Sequence, residues 1–246
     1  MNNFSERIKK LARQKSPLIL ANDYDDQKNL ESRTLKNIDT LSDYLCAIKF
    51  NMHVLLPLGE KQIKKITKKA HENQLQVIAD IKLNDIGNTN LVAVNTLWNL
   101  GFDCVIVNPI MGPENLQRLI QFSHKNKKGI ISLCHMSSPE AKVTYELSVR
   151  LGSKEKPLFK LFLEWAKKMS ADGIIVGATF PDIIKYCKKH SNFKLNVFSP
   201  GIGTQGGDIK STISAGSDYL IVGRTILNAK DPVDTARQMV RLTRID

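Results

Sequence analysis

The sequence has little that would mark an exported, disulfide-bonded or membrane protein. Its 246 residues include only four cysteines, which are widely spaced and form no CxxC pair or Cys/His cluster at metal-ligand separations. No run approaches the roughly 18 apolar residues of a membrane span, and the first fifteen residues lack the apolar segment of an export signal. We therefore expect reduced cysteines, no metal site, no membrane contact and a soluble, cytoplasmic protein.

Acidic residues and arginine are scarce relative to lysine. The chain has 24 Asp and Glu against 36 Lys and Arg, a net charge of +12, and 27 of the basic residues are lysines. The basic clusters fall at 61–70, 124–128 and 185–190. Ile63 and Ile66 keep helical spacing within the first cluster, and aromatic residues do not interleave with the clusters as in a stacking platform. This pattern favours solvated helix faces and no nucleic-acid partner.

What the chain does contain is eight short apolar runs at fairly even intervals. Most are continuously apolar, which is typical of parallel strands covered on both faces. The runs are PLILAN (17–22), LCAIKF (45–50), LQVIADIK (75–82), DCVIVNP (103–109), GIISLC (129–134), GIIVGA (173–178), LNVFSP (195–200) and DYLIVGR (218–224).

Helical patterns separate these runs. The last begins at DPVD, where Asp231 is a suitable N-cap and Pro232 suits the first helical position. Eight strand and helix alternations in about 250 residues predict a single (β/α)8 barrel, a TIM barrel, that forms one domain over 1–246. A doubly wound open sheet is the alternative.

One connection is too long for a turn. After the fifth strand, a polar segment near 137–156 precedes the next helical pattern, PLFKLFLEWAKKMS. Long loops in compact domains are usually lids or disordered segments, and we favour a lid for residues 139–156.

Polar residues gather where the predicted strands end. In a barrel of this type the C-terminal strand ends line the active site. Asp80 and Lys82 are two residues apart, so their side chains should project to the same side of the third strand, with Asp23 and Lys49 as partners of opposite sign. A buried ion pair kept for fold specificity is the structural alternative. The residues at these ends are Asp23, Lys49, Asp80, Lys82, Ser137, Pro200, Gly223 and Arg224.

A second signal is the glycine-rich stretch SPGIGTQGGD (199–208), followed by Gly223 and Arg224 after the eighth strand. Glycine-rich turns after the last two strands leave backbone N–H groups free to face an anion, and Arg224 could add a charge-assisted contact. The pattern predicts a phosphate site at this part of the rim.

With LAND (20–23), DIKLND (80–85), SPGIGTQGGD and VGR (222–224), the chain closely resembles the orotidine 5'-phosphate decarboxylase family, in particular its short, archaeal-type members. The resemblance implies that Lys82 is catalytic, that Lys49 and Asp80 belong to its charged network, and that Asp85 acts in the neighbouring subunit's site of a homodimer. It further implies substrate contacts from Asp23, Ile86, Thr89, Ser137, Pro200, Gln205, Gly223 and Arg224, with Ile86 and Thr89 also reaching the neighbouring site.

The implied reaction is decarboxylation of orotidine 5'-monophosphate (OMP) to UMP, the last step of de novo UMP biosynthesis. It would need no cofactor and no metal, with Lys82 as the proton donor to C6. One alternative is a Mg²⁺-dependent relative, a 3-keto-gulonate 6-phosphate decarboxylase or hexulose-phosphate synthase, against which Gln205 speaks. Another is a catalytically silent nucleotide-binding or RNA-binding barrel, which the intact set of charged residues disfavours.

Overall fold

The fold is a closed barrel of eight parallel strands, seen in a computed structural model that describes residues 3–244. The strands of the structure are β1 (Leu18–Ala21), β2 (Ala47–Asn51), β3 (Gln76–Leu83), β4 (Cys104–Val107), β5 (Gly129–His135), β6 (Ser148–Leu151), β7 (Lys154–Pro157), β8 (Gly173–Val176), β9 (Asn196–Pro200) and β10 (Tyr219–Val222). The barrel order is β1-β10-β9-β8-β5-β4-β3-β2, while β6 and β7 form a separate antiparallel pair. Because β1 pairs with both β2 and β10, the open-sheet alternative is wrong.

Helices follow the barrel strands and cover them. They are α1 (Phe4–Gln14), α2 (Leu30–Leu41), α3 (Met52–Leu55), α4 (Glu60–Glu72), α5 (Gly87–Asn99), α6 (Pro113–Lys125), α7 (Ala141–Thr144), α8 (Leu158–Lys168), α9 (Pro181–His190), α10 (Ile209–Ser214), α11 (Arg224–Leu227) and α12 (Pro232–Thr243), with 3-10 turns at Ser42–Tyr44 and Pro109–Met111. No helix among residues 3–244 combines the length and apolar character needed to cross a bilayer.

The predicted strands are confirmed, and each observed strand end lies within two residues of the predicted end. Their continuous apolar composition matches nearly complete burial, as in β4 and β10, where every residue is buried. The predicted start of α12 is confirmed as well, since the Asp231 carboxylate accepts the N–H of Asp234 at 2.9 Å.

A helix before the first strand was not predicted. α1 turns Phe4, Ile8 and Leu11 toward the core at helical spacing, and Asn3 with Glu6 forms a capping box at its start. A Cβ added to Gly129 at the start of β5 would lie 2.3 Å from the Phe4 ring. The helix therefore packs tightly against the N-terminal end of the barrel.

Three carboxylates at this end of the barrel repeat one arrangement, and we call Asp103, Asp172 and Asp218 the N-terminal carboxylates. Each precedes a strand, accepts the N–H of the second residue of the neighbouring strand, and contacts a basic side chain from the end of a helix. The contacts are Asp103 with Val77 N (3.0 Å) and His71 (2.8 Å), Asp172 with Ile130 N (2.9 Å) and His124 (2.9 Å), and Asp218 with Val197 N (2.7 Å) and Lys188 (2.6 Å).

The long connection after β5 has regular structure. It contains α7 and the β6–β7 hairpin, and Glu146 lies 3.3 Å from the buried imidazole of His135 at the end of β5. Beyond Ser138, none of its residues lines the central cavity described below. The lid role of residues 139–156 stays a prediction.

Candidate active site

A cavity of about 360 Å³ opens at the C-terminal ends of the barrel strands. Inward-facing apolar side chains such as Ile106, Leu133, Ile175 and Ile221 form part of its wall. Nine of the twelve predicted site residues line it together: Asp23, Lys49, Asp80, Lys82, Ser137, Pro200, Gln205, Gly223 and Arg224.

Lys49, on β2, is the most buried charge of the site, with only 3% of the residue exposed. Its ammonium group donates to Asp23 at 3.1 Å, to Asp80 at 3.0 Å and to the side-chain oxygen of Asn51. An ammonium group has three N–H donors, so these three oxygens satisfy all of them. Burial would lower the pKa of Lys49, but Asp80 and Asp23 outweigh burial and raise it above its ordinary value.

Asp80, on β3, links the two lysines of the site. One carboxylate oxygen accepts from Lys49, and the other accepts from Lys82 at 2.9 Å. Burial would raise the pKa of Asp80, yet the two ammonium groups dominate and hold that pKa below its usual range. Asp23, Lys49, Asp80 and Lys82 thus form one chain of alternating charge, as the sequence predicted, and we call it the charged chain.

Lys82 reaches this chain by a route that simple strand alternation does not describe. Its backbone is left-handed, with φ of 46°, and the pairing of β3 with β4 shifts register between Asp80 and Leu83. The side chains of Asp80 and Lys82 do meet, as expected, but through a bulge and not through regular strand alternation. A bulge re-aims the side chain, and 38% of it is exposed toward the cavity.

A second side of the cavity is built from the turns after β9 and β10, and β10 is the neighbour of β1 in the barrel. Gly201, Gly203 and Gly206 all have positive φ, and the loop from Gly201 to Gly207 closes on itself through backbone hydrogen bonds. Within residues 3–244, the backbone N–H groups of Gln205 and Arg224 have no hydrogen-bond partner, and the Arg224 guanidinium has no ion pair. These unused donors form an arrangement suited to an oxyanion.

Ser137 lies between these two sides, after β5. Thr179 donates to its carbonyl oxygen at 2.9 Å, and a Cβ added to Gly177 would lie 2.4 Å from its Cα. A Cβ added to Gly201 would lie 2.9 Å from both the Ser137 Cβ and the Gln205 side-chain oxygen. Close packing at the two glycines therefore brings Ser137 and Gln205 to the same part of the cavity.

Asp85, Ile86 and Thr89 lie outside the cavity of their own chain. All three are exposed, and the Asp85 carboxylate accepts the N–H of Ile86 at 2.6 Å. The single chain therefore does not bring these predicted residues to the other nine.

Several polar cavity residues were missed: Asp25, Asn51, His53, Thr204 and Thr225. Asn51 follows Lys49 by two residues, the same spacing that separates Asp80 from Lys82. Strand alternation could therefore have predicted from the sequence that Asn51 faces the cavity. His53 lies 3.2 Å from the carbonyl oxygen of Tyr24, a contact that the spacing of residues along the chain does not reveal.

No group of three or more His, Cys, Asp or Glu side chains in the described part of the chain is arranged to hold a metal ion. The four cysteines are buried free thiols, and Cys134 and Cys187 approach to 3.8 Å between their sulfur atoms.

Comparison with known proteins places this geometry in a family. Residues 16–239 match the Orotidine 5'-phosphate decarboxylase / HUMPS family. The orotidine 5'-phosphate decarboxylase of Pyrococcus abyssi is 33% identical over 211 residues, which cover 85% of this chain and 92% of that protein. That of Thermococcus kodakarensis is 31% identical over 92% of this chain and 96% of its own.

Solved structures give the same result. The crystal structure of orotidine 5'-phosphate decarboxylase from Pyrococcus horikoshii is 30% identical, superposes with a TM-score of 0.77, and matches 93% of this chain and 100% of that chain. The enzyme from Methanocaldococcus jannaschii, complexed with the inhibitor BMP, has a TM-score of 0.79 at 27% identity, over 93% of this chain and 98% of that chain. This chain therefore belongs to the orotidine 5'-phosphate decarboxylase / HUMPS family.

Proposed function

We propose that this protein decarboxylates OMP to UMP, the last step of de novo UMP biosynthesis. The observation that carries the proposal is the division of one cavity into two chemically different sides. The charged chain occupies one side, while the free N–H groups of Gln205 and Arg224 and the Arg224 guanidinium occupy the other. A nucleotide with a phosphate at one end and a carboxylated pyrimidine at the other matches both sides.

In the proposed reaction the bond between C6 and the carboxylate breaks, CO₂ leaves, and the electron pair stays on C6. The Lys82 ammonium group stabilises this charge and then donates a proton to C6, after which solvent reprotonates the amine. A compact, mobile ammonium suits such a transfer better than the fixed fork of arginine. All four members of the charged chain line the cavity, and Lys82 has the most exposed side chain of them, at 38%.

Asp80 is the second residue of the proposed chemistry. Held by Lys49 and Lys82, it stays ionised and lies beside the place where the substrate carboxylate would approach Lys82. Repulsion between the two carboxylates disfavours the bound substrate and disappears as CO₂ leaves, so it lowers the barrier of that step. Lys49 keeps Asp80 in position.

No single contact is large enough for the task. Very slow reactions need barrier reductions of about 20 kcal/mol, whereas one unit-charge pair at about 4 Å contributes about 4 kcal/mol at an effective dielectric constant of about 20. The remainder must come from the preorganised charged chain together with binding energy at the phosphate. The side chains supply the charge that the carbanion needs, so we propose a reaction without cofactor or metal.

The remaining cavity residues fit parts of the nucleotide. We propose that Asp23 accepts a hydrogen bond from a ribose hydroxyl, that Ser137 contacts the pyrimidine, and that Gln205 spans the base and the phosphate. Pro200 and Gly223 form part of the cavity wall. The proximity of Ser137 and Gln205 around Gly201 supports their shared assignment to the base.

We further propose a homodimer in which Asp85, Ile86 and Thr89 complete the partner's site. Large apolar side chains are exposed in the segments that follow β2, β3 and β4, three neighbouring strands of the barrel, and exposed apolar surface of this kind is typical of an interface. These side chains are Met52 (47% exposed), Leu56 (76%), Ile86 (72%), Val92 (58%) and Ile110 (57%).

The direct test of function is loss of OMP absorbance on addition of the purified protein in the presence of a chelator. We expect turnover without metal. Activity that appears only with Mg²⁺, and on a sugar phosphate rather than OMP, would instead support the Mg²⁺-dependent decarboxylase or synthase.

The dimer is tested by mixing Asp85→Ala and Lys82→Ala chains, each inactive alone. A hybrid dimer has one intact site, so some activity should return once the subunits exchange. Absence of recovery, with exchange confirmed by mass spectrometry of differently tagged chains, would place Asp85 in its own chain's site.

A further inference from the structure

We infer that Thr225 is a positioning residue for phosphate recognition: its hydroxyl joins the loop after β9 to the start of α11. The inference rests on the proposed function, because it concerns the phosphate end of the same cavity. Thr225 itself lines the cavity, immediately after Arg224.

The Thr225 hydroxyl uses its full hydrogen-bonding capacity on that loop. It accepts the N–H of Thr204 at 3.1 Å, donates to the carbonyl oxygen of Ile202 at 3.2 Å, and lies 3.0 Å from the Thr204 hydroxyl. A hydroxyl has one donor and two acceptor positions. Because Thr225 donates to Ile202, the Thr204 hydroxyl must donate to Thr225, and all three positions are filled.

Backbone geometry shows how closely the two segments meet. Gly203 has a φ of 71°, and a Cβ added there would lie 2.3 Å from the Thr225 hydroxyl oxygen. Any side chain at Gly203 would both strain the backbone and displace Thr225. Among the described residues, every hydrogen bond between the segment 202–206 and α11 ends on Thr225.

This joint sets the distance between the unused phosphate donors. Gln205 follows Thr204, and Arg224 precedes Thr225, so their free N–H groups lie one residue from each side of the joint. Without the joint, the two turns could separate, and a bound oxyanion would have to draw them together at a cost in affinity. Thr225 therefore preorganises the anion site and does not touch the reacting carbon.

The test compares Thr225→Val, which keeps the shape and removes the hydroxyl, with Thr225→Ser, which keeps the hydroxyl. Binding of UMP and of uridine, the phosphate-free probe, is measured by NMR titration together with kcat/KM for OMP. For Thr225→Val we expect UMP affinity and kcat/KM to fall about tenfold, a factor that corresponds to about 1.4 kcal/mol. Uridine binding should be unchanged, and Thr225→Ser should resemble the parent protein.

Two further variants serve as references. Thr40→Val removes a hydroxyl that bonds its own helix at 3.0 Å on the exposed side of α2 and should leave both ligands unaffected. Arg224→Ala removes the charged contact itself and should weaken UMP binding more than Thr225→Val does. If Thr225→Val does not fold, Thr225→Ala makes the same comparison with a smaller side chain.

Equal losses for UMP and uridine would overturn the inference, since they would indicate general damage to the cavity. Unchanged UMP affinity in a folded Thr225→Val protein would overturn it as well. The proposed function can fail separately: if the parent protein binds UMP more tightly than uridine but does not consume OMP, the decarboxylase assignment falls while the Thr225 comparison stands.

Discussion

Both ends of the barrel carry carboxylates paired with basic groups, but the ion pairs are arranged differently at the two ends. At the C-terminal end, Asp23 and Asp80 share Lys49, and Asp80 also contacts Lys82, so the charges form one chain beside an open cavity. At the N-terminal end, Asp103 and Asp218 each have basic partners of their own. Shared partners couple the charges electrostatically and leave one charged group of the chain available to contact a ligand. Separate ion pairs instead hold neighbouring helices and strands together.

The N-terminal carboxylates also bond to backbone. Asp172, with 5% of its side chain exposed, joins β5, α6 and α1 through Ile130, His124 and Ser5, the last at 2.7 Å. Such a group stabilises the fold because several charge-assisted hydrogen bonds compensate its burial. Asp80 has a similar degree of burial, but its hydrogen bonds go to lysines and not to backbone N–H groups. The difference fits a division between stability at one end and chemistry at the other.

The largest difference between the ends should appear on removing Lys82. Lys82→Ala eliminates the proposed proton donor, so we expect kcat/KM for OMP to fall by about 10⁴-fold or more while the fold persists. The measurements are steady-state kinetics and thermal unfolding. Lys210→Ala, an exposed lysine on α10, is the matched control, and normal turnover in Lys82→Ala would refute the assignment.

The opposite outcome is expected for Asp172→Asn. Loss of the carboxylate charge weakens three hydrogen bonds in a buried setting, and we expect the free energy of unfolding to fall by about 2–3 kcal/mol. Activity per folded molecule should stay the same, because the cavity lies at the other end. Asp182→Asn, at an exposed position on α9, controls for the chemical change; a loss of activity without a loss of stability would contradict the division.

Energetic coupling between carboxylates should also differ between the two ends of the barrel. Asp23→Asn and Asp80→Asn each remove a negative charge that contacts the same ammonium group, so their effects on the free energy of unfolding should depart from additivity by about 0.5–3 kcal/mol. Asp103→Asn and Asp218→Asn share no contact and should add to within about 0.5 kcal/mol. Double-mutant cycles by denaturant unfolding measure both. Equal coupling at the two ends would remove the distinction between shared and separate pairs.

The smallest predicted effect concerns pH at the N-terminal end. The hydrogen bond to Asp172 raises the pKa of His124, so its stabilisation is complete below the pKa of the unfolded chain, near 6.5, and is lost as pH rises through the higher folded value. Because 39% of the side chain is exposed, we expect no more than about 1 kcal/mol. The unfolding free energy should therefore decline from pH 6 to pH 8 in the parent protein, less so in His124→Gln. His190 has no carboxylate partner among residues 3–244, so His190→Gln should follow the parent.

Much of the fold could be predicted because barrel strands have a strong local signature. Runs such as GIISLC and DYLIVGR are largely apolar on both faces, which is typical of strands in a parallel sheet that is covered on both faces. The helix α1 was not predicted, although Phe4, Ile8 and Leu11 carry the helical period. The hairpin after β5 was missed because β6 and β7 are largely polar and exposed, so they lack the apolar pattern of a buried strand.

The site divides in the same way. The spacing of Asp80 and Lys82, and the order of glycines before Arg224, could be recognised in the sequence. The positive φ of Lys82 could not be recognised in the sequence, because a bulge depends on how β3 pairs with β4. The assignment to the neighbouring subunit's site rests on the resemblance and on the proposed dimer for Asp85, Ile86 and Thr89. Their role stays a prediction.

By itself, the sequence determined which residues end the barrel strands, because burial of apolar runs fixes where each strand lies and therefore where its polar continuation emerges. Only the tertiary structure decided which of those residues meet. Lys49 and Asp80 are separated by 31 residues, and Ile202 and Thr225 by 23, yet closure of the barrel brings each pair within hydrogen-bonding distance. Contacts across neighbouring strands follow from sheet register and barrel closure, which no local pattern of residues specifies.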